Sequence, residues 1–197
     1  MTQCRWYARE GVAVHAASRA PLNKALALSL MRSPMQIHGK CHCGNIEFKL
    51  TWPEDATDVP ARACNCTFCT KHGGVWTSHP DARLRLSLHD ETQVSIYEFG
   101  TKTAQFHVCS RCGVVPVVTC RLNEKMYAVV NVNAFTDFNT VPLRHSPASF
   151  EGEEPESRLS RRARNWISDV RIVAPEPDPS SSGRDVTAPG VDRRRSK

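Results

Sequence analysis

No run in this 197-residue chain reaches the ~18 apolar residues a membrane-spanning helix needs, so crossing a bilayer by such a helix is excluded. Also lacking is an excess of positive charge on the body of the chain. The net +6 divides unevenly: residues 1–34 carry five Lys/Arg against one acid, residues 155–197 carry ten against six, and residues 35–154 carry eleven against thirteen. The charge belongs to the ends, and a basic nucleic-acid face on the body is not supported. No small-residue cleavage pattern follows the short apolar stretch Ala25–Met31, so residues 1–34 read as a poorly ordered extension rather than a leader. Hydrophobic content of 40% and charged content of 23% leave room for one ordinary globular domain with a real core.

What the chain has in quantity is cysteine. Of nine, seven fall in three tight groups: Cys41 and Cys43, then Cys64, Cys66 and Cys69, then Cys109 and Cys112. Cys4 and Cys120 stand alone. Cysteines two or three apart rarely bridge each other, whereas C-x-C and C-x-x-C spacings suit metal chelation. Such thiolates fit a reducing, cytoplasmic setting. A closed structural zinc takes four ligands and a catalytic one keeps an exchangeable position. The economical division therefore gives two zinc ions per chain. Cys41, Cys43, Cys109 and Cys112 close a structural site, with Gly113 free to take the positive φ of a tight knuckle. Cys64, Cys66 and Cys69 hold a second ion with an open position. Two other arrangements stay open: a fourth triplet ligand from Cys120, His72 or His79, or a single four-cysteine site with three spare thiols.

The elements between the cysteines point to a mainly β domain of short antiparallel strands with one C-terminal helix. Asn45–Leu50 alternates apolar and polar residues, putting Cys41–Cys43 beside a half-buried strand, and both C-x-C pairs are expected on extended backbone with their sulfurs on one side. Pro53–Pro60 reads as a loop. Further strands are expected at 75–77, 84–88, 94–99, 103–108, 114–120 and 126–132, with a turn at Asn123–Lys125. Pro155, flanked by Glu153, Glu154 and Glu156 and followed by four arginines, starts a helix whose dipole suits that charge order. Leu159, Ala163, Trp166 and Ile167 are its expected packing face. The organisation is then an N-terminal extension (1–34), a zinc-binding β domain (35–150), a helix packing on it (151–173) and a disordered basic tail (174–197).

Gly39–Phe48 around the first cysteine pair, Cys64–Cys69 with Gly73-Gly74, and Phe106–Gly113 around the last pair together resemble the glutathione-dependent formaldehyde-activating enzyme family, or centromere protein V/GFA domain, over roughly 35–135. The resemblance implies an Mss4-like zinc-bound fold, a structural zinc on Cys41, Cys43, Cys109 and Cys112, and a catalytic zinc on Cys64, Cys66 and Cys69. It also implies a carbon–sulfur lyase acting on a small-molecule thiol and an aldehyde, with glutathione and formaldehyde as the pair of the founding reaction. The alternative is a non-catalytic zinc-stabilised module whose basic tails touch nucleic acid or protein. Oligomeric state stays open.

Smaller expectations complete the reading. His42 and His107 are expected off the metals, His72 and His79 solvated, Lys71 without a specific role, and Trp76, Phe99 and Phe106 in the core. Glu98 is either a buried acid near the site or the polar face of its strand.

Overall fold

Alternating burial organises the chain from Met35 onward. The computed structural model describes residues 33–136 and 139–176. The expectations placed on residues 1–32 and on the tail from 177 lie outside the described residues. In chain order the strands are β1 (Met35–Lys40), β2 (Ile46–Trp52), β3 (Val59–Cys64), β4 (Val75–Thr77), β5 (Arg83–Leu88), β6 (Val94–Tyr97), β7 (Gln105–Cys109), β8 (Val117–Leu122), β9 (Lys125–Asn131), β10 (Leu143–Ala148) and β11 (Asp169–Val173). Among the described residues two α-helices join them, α1 (Thr67–His72) and α2 (Pro155–Asn165). The chain is mainly β, as expected.

The strands form two sheets, a four-stranded one in the order β1-β2-β5-β11 and a seven-stranded one in the order β10-β3-β4-β9-β8-β7-β6. Most pairs are antiparallel, but β10 runs parallel to β3 and β11 parallel to β5. The expected short antiparallel strands thus make up most of both sheets, and two parallel pairs are added to them. Strands joined by tight turns must reverse direction, whereas partners about eighty residues apart in sequence are under no such constraint.

The main core lies between the sheets. Ile46, Phe48, Leu50 and Trp52 of β2 meet Val59, Ala61, Val117 and Val130 from the larger sheet. In the larger sheet Val117 pairs with Val130 and Val118 with Val129. The first pair belongs to the inter-sheet core and the second to a separate cluster with Trp76, Phe106 and Trp166. Successive residues point to opposite faces, so β8 and β9 read as continuous valine runs because both faces are covered.

Three local expectations are corrected. Cys41 and Cys43 lie in the turn after β1, not on a strand, and Cys66 follows the end of β3 as the N-cap of α1. The Pro53–Pro60 loop gives way to β3 at Val59, and Pro60 is tolerated there because only β10 lies alongside at that register while β4 pairs at Arg62 and Ala63. The segment 151–173 is not one helix. The helix α2 ends at Asn165, Ile167 exchanges both backbone hydrogen bonds with Ala128, and the chain continues into β11.

The buried face of α2 also differs from its apolar pattern. Ala163 is exposed, Trp166 and Ile167 pack from beyond the helix, and Arg162 is the helix's buried residue at 6% exposure. Its guanidinium Nη1 donates to the carbonyl and hydroxyl oxygens of Thr103 at 2.9 and 2.8 Å and faces the Trp166 ring at 5.0 Å. Those contacts offset the desolvation of a charge that would otherwise exclude arginine from this position.

Candidate functional site: two thiol clusters and an arginine-walled cavity

Folding brings Cys41, Cys43, Cys109 and Cys112 together, with all four sulfurs within 4.8 Å of one another. Cys41 opens the turn between β1 and β2, Cys109 closes β7, and Cys112 sits in the next turn. Gly113 follows at φ +74°, letting its N–H bond back to the Cys109 carbonyl at 2.8 Å. The Ile46 N–H points at Cys41 Sγ at 3.3 Å. Sγ–Sγ distances of 3.7 Å (Cys41–Cys43) and 3.4 Å (Cys43–Cys109) lie close to the ~3.8 Å edge of a tetrahedron of sulfurs around zinc. Burial pushes the Cys41 thiol up to about 12. Burial opposes ionisation of Cys112 too, yet backbone N–H groups and the Cys109 and Cys43 thiols pull it down to about 6.

The other cluster joins Cys64, Cys66 and Cys69, again within 4.8 Å. Cys66 caps α1, its sulfur accepting the Cys69 N–H at 3.4 Å. The return to β4 is closed by the Gly74 N–H on the Cys69 carbonyl at 2.8 Å. Gly74 also lets Trp76 approach: a Cβ there would stand 2.9 Å from Trp76 Nε1 and 3.1 Å from Cys69 Cβ. The unobstructed indole donates to Cys69 Sγ at 3.2 Å. The Cys69 hydrogen bond holds the Cys64 thiol down to about 5, with the Arg158 charge adding to the effect, while Cys69 itself is pushed up by its contact with Cys64 and by burial. Each cluster has the sulfur set that could hold a metal ion. Cys120, His72 and His79 are not part of the triplet cluster: Cys120 is buried against Arg162, His72 stacks on Phe68 and His79 meets Trp52 edge-on.

The clusters differ in what they face. Cys64, Cys66 and Cys69 line a cavity of about 590 Å³, and none of the other four cysteines does. It is lined by Trp76, Phe106, Val118 and Val129 on the outer face of the larger sheet, by Arg62 of β3 beside Trp76, and by Arg158, Arg161 and Arg162 of α2. Glu153 braces two of these, accepting two hydrogen bonds of 2.7 Å from Arg161 and lying 3.8 Å from Arg158.

The profile of the family described as glutathione-dependent formaldehyde-activating enzyme matches residues 36–149. This chain belongs to that family. A Halomonas elongata protein described as "Putative glutathione-dependent formaldehyde-activating enzyme" is 31% identical over 85 residues, 40% of this chain and 52% of that protein. The chain thus spans about half the length of that relative. A Rhodobacter sphaeroides protein of known crystal structure is 30% identical, covering 54% of this chain and 99% of that one at a TM-score of 0.40.

The family segment contains all seven clustered cysteines and Arg62 but ends before α2. Arg158, Arg161 and Arg162 therefore lie outside the matched segment, where composition alone suggests only a solvated, dipole-matched helix. Trp76 and Phe106 are buried as expected, with a second role as cavity wall, and Phe99 is half-buried beside them. Glu98 is exposed and accepts from Gln105 at 3.1 Å, away from the thiols. His42 and Lys71 are exposed. His107 is buried on β7, bonded to the Thr119 hydroxyl at 2.9 Å, and burial lowers its pKa to about 4.

Proposed function

We propose that this chain is a zinc-dependent carbon–sulfur lyase of Mss4-like fold that joins a small thiol to an aldehyde, formaldehyde and glutathione being the pair named in its family's description. The observation carrying this reading is the asymmetry of the clusters: three thiols face a cavity, and four lie away from it. Cys41, Cys43, Cys109 and Cys112 would hold a structural zinc. Cys64, Cys66 and Cys69 would hold the catalytic one. Zinc bound there supplies a Lewis acid that favours the deprotonated form of a thiol and polarises a carbonyl oxygen.

The protein's own residues prepare the rest. Trp76 fixes Cys69 through its N–H, and the α1 cap fixes Cys66, so the sulfurs are placed before any ligand arrives. The apolar wall of Phe106, Val118 and Val129 limits water at the reacting atoms. The addition balances without redox change. The thiol loses its proton, its sulfur lone pair forms the bond to the carbonyl carbon, and the carbonyl oxygen becomes the hydroxyl of the adduct. A reducing compartment such as the cytoplasm suits these free thiols, and no helix among the described residues is long and apolar enough to cross a membrane.

The test is exchange spectroscopy on ¹³C-formaldehyde with glutathione and zinc-loaded protein, reading the rate of adduct formation above the spontaneous one. Acceleration that disappears in Cys64→Ala supports the reading. Equal rates with and without protein, across several thiols, would leave a zinc-stabilised binding module instead.

A further inference from the structure

Three features of the cavity wall go beyond a thiol–aldehyde site. Arg62 lines the cavity without a hydrogen bond or a carboxylate partner among the described residues, and its charged neighbours Arg144 and Arg161 only repel it. Arg162 is 6% exposed, and its Nε has no hydrogen-bond partner. The buried Nε of Arg158 likewise has no hydrogen-bond partner, its nearest carboxylate being Glu153 at 3.8 Å. Four guanidinium groups lining one cavity, Arg62 unpaired and Glu153 bracing Arg158 and Arg161, are arranged for an anion despite their mutual repulsion. Among the described residues Glu151 is the only carboxylate on the cavity wall, and it is exposed. The same cavity is lined by Trp76, the cross-strand neighbour of Arg62, and by Phe106, Val118 and Val129, all of them buried.

We infer that this cavity takes a ligand with a compact apolar body and one oxyanion, the body lying on the Phe106–Val118–Val129 surface and the oxyanion on Arg62 with the α2 arginines. This rests on the lyase reading only in placing that ligand as the thiol or aldehyde substrate beside Cys64. The wall then combines Arg62 and the apolar residues of the matched segment with the α2 arginines that lie beyond it. A carboxylate and a phosphate share the chemistry that a guanidinium fork recognises.

The experiment is titration calorimetry on full-length, zinc-loaded protein with 3-phenylpropionate, phenyl phosphate and the uncharged 3-phenylpropan-1-ol. None contains a reacting thiol or aldehyde, so their affinities stand whether or not the lyase reading fails. One or both anions should bind at least tenfold tighter than the alcohol, and which binds better distinguishes carboxylate from phosphate. Arg62→Gln should reduce that preference to less than threefold with zinc content unchanged, and Arg62→Lys should restore part of it. If Arg62→Gln does not fold, Arg158→Gln carries the same expectation. Equal binding of alcohol and anions, no binding of any probe, or an unaltered preference in the arginine variants would overturn the inference.

Discussion

Two groups of thiols, built from the same residue type at similar spacing, occupy opposite situations in this fold. Cys41 and Cys109 are fully buried in the inter-sheet core and tie the β1–β2 turn to the end of β7, segments far apart in sequence. Cys64, Cys66 and Cys69 come from one short stretch between β3 and β4 and open on a cavity. The difference shows how position assigns work to a ligand set. A cluster joining distant segments contributes its binding energy to folding. A cluster drawn from one local excursion can lose its ion without separating the sheets, and its energy is free for function.

The largest expected effect breaks the first half of that comparison. Cys109→Ser should lower the thermal midpoint by more than about 10 °C or abolish the cooperative melt, since a linkage between distant strands is lost. Circular dichroism melting against Cys64→Ala reads it directly. Cys64→Ala should melt within a few degrees of wild type while thiol–aldehyde exchange falls to the spontaneous rate. If both variants unfold alike, the two clusters are not distinct in function.

Trp76→Phe sharpens the second half. It removes the N–H donor to Cys69 while keeping a ring against Phe106, so triplet metal affinity or activity should fall ~10–100-fold with the four-thiol site unaffected. Competition with a chromogenic zinc chelator separates the two ions. Gly74→Ala forces a methyl against the indole and Cys69, an overpacking cost of ~1–3 kcal/mol measurable in denaturant.

How much of this was legible in the sequence follows from how local each signal is. The grouping of seven cysteines is written in spacings of two and three residues and carries over to the structure, even though only Cys64 and Cys109 end strands and the rest sit in turns or in α1 and its cap. The strand of alternating residues before Leu50 and the valine runs of β8 and β9 are equally local. The arginine wall is not. Arg162 is buried because Thr103, 59 residues away, accepts from it, and Arg161 is held by Glu153 across the start of α2. No periodicity encodes such partners, and the apolar pattern puts Ala163 on the buried face instead. Trp76 reads as core from composition, and only the glycine-permitted approach to Cys69 shows its second role.

The smallest expected effect concerns the brace behind that wall. Hydrogen bonds from Arg161, and the charges of Arg161, Arg158 and Arg162, hold the Glu153 carboxyl below its ordinary 4.5 although burial opposes them. A carboxyl depressed on folding stabilises the native state above that ordinary value, and the contribution is lost as pH falls through the folded pKa. Melting temperature should therefore drop by a few degrees more between pH 5.5 and 3.5 in wild type than in Glu153→Gln, with the four-thiol site common to both.

The central claim, two metal sites of different kind, is tested most directly by zinc per chain in purified, reduced wild type and Cys66→Ser, with circular dichroism alongside. The account predicts two zinc ions falling to one with the fold retained. One zinc ion in both proteins, or loss of the fold in Cys66→Ser, would contradict it.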